Sequence, residues 1–325
     1  MADLERPTLA ITMGDVQGIG PEILAKALAR PEPAACAGFK IFGDPAAYER
    51  ARQWAPTAPS PDALTFVTGP LAPPAFRPGT IDPAAGACAI EWVKAAVAAW
   101  HAGEVDAVVT CPIHKTAVYQ AGYPHIGHTE LVAELTGAAH YRMCLFAGGM
   151  RVLHHTGHLA LRDALDAVTT DSVEESILIG HEALLAMGIS RPRIAVMGLN
   201  PHAGEQGAFG REDGEVIAPA VARARARGVD CDGPHSPDAV LDKMRDGRYD
   251  LVVAMYHDQG HIAMKLLARD EGVNVTLGIP MVRTSVDHGT AFDIAWQGRA
   301  SEESLRAAIA LAADLARARG ERPCA

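Results

Sequence analysis

The sequence predicts an α/β protein built on a largely parallel sheet and folded into two lobes. Apolar runs of strand length alternate with helical stretches along almost the whole chain. Gly- and Pro-rich turns separate them. With 325 residues, 49% of them hydrophobic, the chain is long enough for a large core.

TLAITM, from Thr8, reads as the first strand; a Gly-rich loop follows, and Pro21 starts a helix that runs to about residue 30. GFKIFG is a second strand, PAAYERARQW a helix and LTFVTG a third strand. Over residues 83–102, Ile90, Val93, Val97 and Trp100 recur at helical spacing. VDAVVTC is a strand of the fully buried type. The alternation continues through RMCLFAG, MRVLHH, a helix in TTDSVEESILIGHEALLAMG, the strand RIAVMGL and a helix in REDGEVIAPAVARARARG. DLVVAM and NVTLG are strands, a helix is expected after His288, and a last helix covers 301–319. The stretches 55–63 and 77–86 are surface loops by composition, and the tail ARGERPCA is expected to fray.

Composition narrows the function classes. Charged residues are 21% and the net charge is −10, so there is no basic footprint for nucleic acid or an anionic membrane. No run of 18 apolar residues predicts a membrane span, and the first residues show no signal-peptide pattern. Six scattered cysteines without a C-x-x-C pair predict reduced, mostly buried thiols in a cytoplasmic protein.

Three histidines follow apolar strand-like runs: His158 after RVL, His202 after RIAVMGL and His257 after LVVAM. Open α/β sheets bind ligands at the carboxyl ends of their strands. Three imidazoles converging there would hold a divalent metal with positions left open, the catalytic arrangement. The chain has 14 histidines, so an ordinary surface or hydrogen-bonded core role is the competing reading for each.

Six further motifs stand on loops. GDVQGIGPE (14–22) offers amides to an anion or cofactor, with a plain Gly-rich turn equally open; it matches neither G-x-G-x-x-G nor a P-loop. TCPIHK sets Thr110, His114 and Lys115 past a strand. In GHTEL, Thr129 reads as a helix cap with Glu130 in the first turn and His128 beside it. GLNPHAGE exposes His202 at a turn. In YHDQGH, Asp258 and Gln259 are available to orient His257 or bind water. In VNVTLGIPMVRTSVDHGTAFDIA, Asn274, Arg283, Asp287 and His288 cluster, and Arg283 with Lys265 suits a phosphate or carboxylate clamp.

ITMGDVQGIGPE, TCPIHK, GHTE, GLNPHAGE, YHDQGH and RTSVDHGTAFDIA, in that order over residues 8–296, resemble the 4-hydroxythreonine-4-phosphate dehydrogenase family. The loop GDVQGIGPE is also similar to one in isocitrate and isopropylmalate dehydrogenases. The resemblance implies a two-domain, three-layer α/β/α subunit with its active site in the interdomain cleft. It implies a cofactor-side domain of 1–125 plus 270–325, a metal- and dimer-side domain of 126–269, and a homodimer. It implies a divalent metal of the Zn, Mg or Co class on His158, His202 and His257. Substrate contacts would come from His128, Thr129, Lys265, Asn274 and Arg283, with Lys265 and Asp258 as the catalytic groups. The reaction implied is NAD- or NADP-linked oxidation of a 4-phosphorylated 3-hydroxy acid with decarboxylation of the 3-oxo product. No residue is assigned to the dinucleotide.

Three departures from the vitamin-pathway pattern point to a catabolic side branch that includes D-threonate 4-phosphate dehydrogenases. His261-Ile262 stand after DQG, GHLAL surrounds His158, and Gly14-Asp15-Val16 opens the first loop. A cis-dihydrodiol dehydrogenase of aromatic diacid breakdown, or a three-His hydrolase or lyase without nicotinamide, are the alternatives.

Overall fold

The computed structural model describes residues 6–125, 127–268 and 271–320. Cys324, the start of the chain and most of the tail lie outside these. The chain divides into two compact units: unit 1 runs up to Ala139 and resumes at Ile279, and unit 2 is His140–Gly278. Residues 127–139 group with unit 1 and 271–278 with unit 2.

Unit 1 contains β1 (Thr8–Thr12), α1 (Gly20–Leu28), α2 (Pro31–Cys36), β2 (Gly38–Phe42), α3 (Pro45–Ala51), β3 (Thr65–Val67), α4 (Pro83–His101), β4 (Ala107–Thr110), α5 (Lys115–Gln120) and α6 (His128–Leu135). Unit 2 contains β5 (Arg142–Ala147), β6 (Met150–His154), α7 (Leu161–Asp166), α8 (Thr170–Ala186), β7 (Ile194–Met197), α9 (Ala218–Ala226), β8 (Cys231–His235), α10 (Pro237–Arg245), β9 (Leu251–Ala254), α11 (His257–Ala268) and β10 (Val273–Leu277). The chain returns to unit 1 for β11 (Val282–Val286) and α12 (Glu303–Gly320).

In unit 1 the strands run in the order β3-β2-β1-β4-β11, every pair parallel. Helices cover both faces, as parallel strands with wholly apolar runs require. α4 packs on β1 and β4, and α12 on β11 and β4. Trp92 of α4 is buried and its Nε1 donates to the Thr68 carbonyl at 2.7 Å. β1 lies between β2 and β4, so the strand order reverses there and leaves a crevice at the carboxyl ends of β1 and β4.

In unit 2 the order is β10-β5-β6-β9-β7-β8. The pairs β10/β5 and β5/β6 are antiparallel; β6/β9, β9/β7 and β7/β8 are parallel. One face is sealed by α10 and α11 over a core that includes Leu145, Val152, Met197, Val252 and Met264. α8 packs against β7 and β9. Here the order reverses between β7 and β9.

The expected helix after His288 is absent. Residues 292–298 form turns, with left-handed backbone at Ala291 (φ 43°), Trp296 (φ 62°) and Gly298 (φ 73°). A buried contact holds this course: Trp296 Nε1 donates to the Val16 carbonyl at 2.9 Å, and the helix begins only at Glu303. β8 and β11 were not separated as strands by the sequence. β8 carries Gly233-Pro234, which reads as a turn, and it is tolerated because β8 is an edge strand.

Gly14 follows β1 with φ 73°, and a Cβ there would stand 2.3 Å from the Pro112 carbonyl oxygen. Both features exclude a side chain. Gly14→Ala should cost about 2–4 kcal/mol in a urea melt. A loss below about 0.5 kcal/mol would mean that the loop relaxes freely.

Candidate functional site

In unit 1 the site residues gather on the face of the sheet turned away from α12. Thr284 of β11 points to α12, where its Oγ1 donates to the Ala308 carbonyl, so Arg283 points the other way. Arg283 is 2% exposed, and its Nη2 donates to Thr110 Oγ1 of β4 at 2.6 Å. Burial brings its pKa down to about 10, against a partly compensating attraction from Glu130. A sealed guanidinium is costly to desolvate and is retained where an anion is to be recognised.

His128 is the first residue of α6, after Gly127 as N-cap. Its Nε2 is sealed from solvent without a hydrogen-bond partner among the described residues. Burial, then the positive charges of Arg283 and Lys115, push its pKa well below the usual imidazole range. His128 is therefore a neutral hydrogen-bonding group beside cations, which suits it to an anionic ligand. Thr129 follows it on the same helix. Gly127 takes the cap position that the sequence suggested for Thr129. His114 caps α5 through Nδ1 at 3.3 Å from the Ala117 amide, and its ring stacks on Phe292.

The loop after β1 is heavily engaged in structure. Gln17 donates to the Ala75 carbonyl at 2.8 Å and accepts from the Arg77 amide at 2.7 Å. Glu22, fully buried, pairs with Lys26 at 2.8 Å and accepts from the Ala300 amide at 2.9 Å. The carboxyl of Asp15 is different. Oδ1 accepts from the Gln17 amide at 2.9 Å, whereas Oδ2 is sealed with no hydrogen-bond partner among the described residues. Burial raises its pKa to about 6.

In unit 2 the three expected metal ligands follow three strands that are neighbours in the sheet. His158 comes after β6, His257 after β9 and His202 after β7, in the spatial order β6-β9-β7. The His158 and His257 rings are 5.4 Å apart. His257 opens α11, and its Nδ1 lies 2.6 Å from Asp258 Oδ1. That contact fixes the tautomer and leaves Nε2 for a ligand. It makes Asp258 the group that orients His257.

Gln259 ties two of these strand ends together. Its Oε1 accepts from the Met255 amide and its Nε2 donates to the Gly198 carbonyl, both at 2.7 Å. Past Gly198, buried Asp213 accepts from the Leu199 amide at 2.7 Å and the Asn200 amide at 3.1 Å. His202 then stands exposed on a left-handed turn (φ 53°), with Nδ1 3.4 Å from Ser236 Oγ and its ring 6.4 Å from that of Phe209. It makes no ring contact with His158 or His257 among the described residues, and no three His, Cys, Asp or Glu groups there already stand in ligating geometry.

Steps of four residues place His257, His261 and Lys265 along one side of α11. Lys265 is exposed. Asn274 of β10 has its Oδ1 sealed without a hydrogen-bond partner among the described residues. Sequence reasoning missed His154, the last residue of β6, whose ring lies 5.7 Å from that of His257. The signal was present in the run VLHHTGH, where strand alternation turns His154 and His155 to opposite faces.

Imidazoles at strand ends are the donor type a divalent cation of the zinc class takes. Burial, chiefly, lowers the pKa of His154 to about 3, so its ring is neutral.

Among known proteins, the family described as pyridoxal phosphate biosynthetic protein PdxA matches residues 35–312. The chain is 43% identical over 323 residues to D-threonate 4-phosphate dehydrogenase of Pectobacterium atrosepticum, covering 95% of this chain and 99% of that one. It is 45% identical over 329 residues to 4-hydroxythreonine-4-phosphate dehydrogenase of Geobacter metallireducens, covering 97% of each. The crystal structure of 4-hydroxythreonine-4-phosphate dehydrogenase from Klebsiella pneumoniae matches with a TM-score of 0.85 at 42% identity, covering 95% of this chain and 99% of that one.

Asp15 supplies a pH test. Its folded pKa of about 6 lies above the ordinary 3.8, so between these values the native chain binds the extra proton. Stability from this group is therefore present at low pH, falls across that window and stays low above it. At roughly 1.4 kcal/mol per unit, the ionised group costs up to about 3 kcal/mol. Asp15→Asn should melt higher than the parent at about pH 8 and together with it below about pH 4. A pH-independent difference would show that Asp15 is already ionised at no cost.

Proposed function

The chain belongs to the PdxA family, and from that premise we propose that it is a metal-dependent, NAD- or NADP-linked dehydrogenase of a 4-phosphorylated hydroxy acid. We infer that the substrate is of the D-threonate or D-erythronate 4-phosphate type, and that the 3-oxo acid formed loses carbon dioxide. The single observation that carries this reading is the placement of His158, His257 and His202 after three neighbouring strands, at the point where the strand order reverses.

A divalent ion bound there would polarise the substrate alcohol and stabilise negative charge on its oxygen, while a nicotinamide accepts the hydride. The chain's own residues do the rest. Asp258 holds the His257 ring in the tautomer that presents Nε2. Gln259 keeps the His202 loop and the start of α11 at a fixed spacing. Arg283, with neutral His128 donating beside it, receives an anionic group, and Lys265 and Asn274 supply a further charge and a hydrogen-bond acceptor. Thr129 is assigned to the substrate as the neighbour of His128 on α6.

Both substrate names occur among relatives at near-equal identity, 43% and 45%. The preference for a hydroxyl over an ammonium at C2 rests on His261, whose ring stacks 4.3 Å from that of His257. An ammonium placed against a metal-bearing histidine wall is repelled, and a hydroxyl is not. A homodimer accords with exposed Leu159, Leu161 and Leu165 around α7 and exposed Ile262, Leu266 and Leu267 on α11. The five described cysteines are all free thiols, in keeping with a cytoplasmic setting.

The test compares kcat/KM for D-threonate 4-phosphate and 4-hydroxythreonine 4-phosphate with each nicotinamide cofactor, in the parent and in Arg283→Ala. The sugar-acid phosphate should win. Arg283→Ala should cost it roughly ten- to a hundredfold or more, from about 1.5–3 kcal/mol of charge-assisted hydrogen bonding, with little change in cofactor KM. A tenfold or greater preference for the amino substrate returns the chain to the vitamin-pathway branch. A rise confined to cofactor KM moves Arg283 to the dinucleotide.

A further inference from the structure

The turn that carries His202 is left-handed over residues 202–206: His202 (φ 53°), Ala203 (φ 53°), Gly204 (φ 76°), Glu205 (φ 40°) and Gln206 (φ 57°). Left-handed backbone crowds the Cβ against the following carbonyl, so glycine adopts it freely and other residues do so singly and at a cost. Here His202, Ala203, Glu205 and Gln206 share one turn. Elsewhere among the described residues only Ala291 and Trp296 combine a Cβ with positive φ. A conformation of this kind persists where its surroundings enforce it.

The enforcement comes from one carboxylate. Asp213 is 2% exposed and opens a π-helical turn over Asp213–Ile217. Its Oδ1 accepts from the Leu199 amide at 2.7 Å, and its Oδ2 from the Asn200 amide at 3.1 Å and from Asn200 Nδ2 at 2.9 Å. The turn is shaped around these oxygens. A Cβ on Gly198 would stand 2.6 Å from Asp213 Oδ1, and one on Gly204, inside the turn, 3.1 Å from Oδ2. Asn200, two residues before His202, is held at its amide and at its side chain, whose Nδ2 also donates to Glu212 Oε2 at 2.8 Å. The far side closes on itself: the Phe209 amide donates to the Gly204 carbonyl at 3.1 Å and the Ala208 amide to the Glu205 carbonyl at 3.2 Å. Past Gly198, the link from the entry of the turn to a buried group therefore runs through Asp213. A buried carboxylate is costly to desolvate, and this one directs its acceptors at the loop that bears His202.

We propose that Asp213 is a positioning residue for the reaction: its carboxylate holds residues 202–206 in the left-handed turn and so fixes where His202 stands. This rests on the function proposed above in giving His202 a part in the chemistry. Asp213 acts through the backbone. Asparagine in its place keeps the shape but turns one acceptor into an amide donor facing the Leu199 or Asn200 N–H, so a bond is lost and donors oppose one another. The turn then relaxes toward ordinary backbone, and His202 leaves its place. Glycine at a left-handed position removes the crowding, so Ala203→Gly restores part of what Asp213→Asn loses.

The test follows turnover of D-threonate 4-phosphate, and amide hydrogen exchange over residues 198–210 by mass spectrometry, in the full chain carrying Asp213→Asn, alone and with Ala203→Gly. Asp213→Asn should lower kcat roughly tenfold or more and leave substrate KM within about threefold of the parent. Exchange should speed up over 198–210 and stay parent-like elsewhere. Adding Ala203→Gly should recover part of kcat and slow the exchange again. A merely structural carboxylate would lower the melting temperature and leave kcat of the folded protein unchanged, and that result would overturn the proposal. Absence of any recovery with Ala203→Gly would show that the turn holds no strain for Asp213 to oppose, and would overturn it too. Should Asp213→Asn fail to fold, Asn200→Ala takes its place, since it removes one donor and leaves the carboxylate intact. It should show the same local exchange and a smaller loss of kcat, and parent-like values of both would overturn the proposal. A parent without turnover would remove the proposed function, and the exchange and its recovery would then decide whether Asp213 holds the turn.

Discussion

Parallel pairing of β6, β9 and β7 is the constraint on which the chemistry of unit 2 depends. Because the three strands point the same way, their carboxyl ends lie side by side, and the segments leaving them start within reach of one another. Three histidines far apart in sequence are thereby delivered to one edge. Gln259 converts that proximity into a fixed spacing, since its amide holds the end of β7 to the end of β9. Asp213 does the same for the turn that carries His202, holding its entry by two backbone amides. Both are held in place by the fold, so the segments that carry His257 and His202 leave the sheet from fixed points.

Unit 1 works by a different device, the retention of charge in a sealed place. Arg283 keeps its cation in the interior with a hydroxyl of the neighbouring strand as support. The same burial and the same cation keep His128 neutral. A cation and a neutral donor side by side attract an anion without the repulsion that two cations would suffer. The cost of keeping Arg283 buried is borne by the fold, and a bound anion would offset it. Asp15, sealed and held part-way to protonation, shows the same fold tolerating a second expensive group at the end of β1.

Much of this was legible in the sequence, for physical reasons that can be named. Wholly apolar runs such as AVVT and LVVA announce buried parallel strands, and both form. The helical spacing over residues 83–102 forms as α4, whose N-cap Asp82 accepts from the Ala84 amide at 2.8 Å. His158, His202 and His257 could be placed at strand ends because each strand was visible. What was hidden depended on long-range contacts. The helix expected after His288 gives way to turns fixed by a Trp296 hydrogen bond to Val16, 280 residues away in sequence. His154 looked like a strand residue until the ladder showed which face it joins. The antiparallel β5 and β10 carry no periodicity that distinguishes them from parallel strands.

The central claim is metal-dependent oxidation coupled to loss of carbon dioxide, and one measurement addresses it directly. Chelator-stripped protein is given D-threonate 4-phosphate and each nicotinamide cofactor in turn, and reduced cofactor and carbon dioxide are followed together, before and after Zn²⁺ or Co²⁺ is restored. The account predicts no turnover in the stripped protein, then reduced cofactor and carbon dioxide in equal amounts once metal returns. Equal turnover with and without metal, or carbon dioxide released with no cofactor reduced, would contradict it.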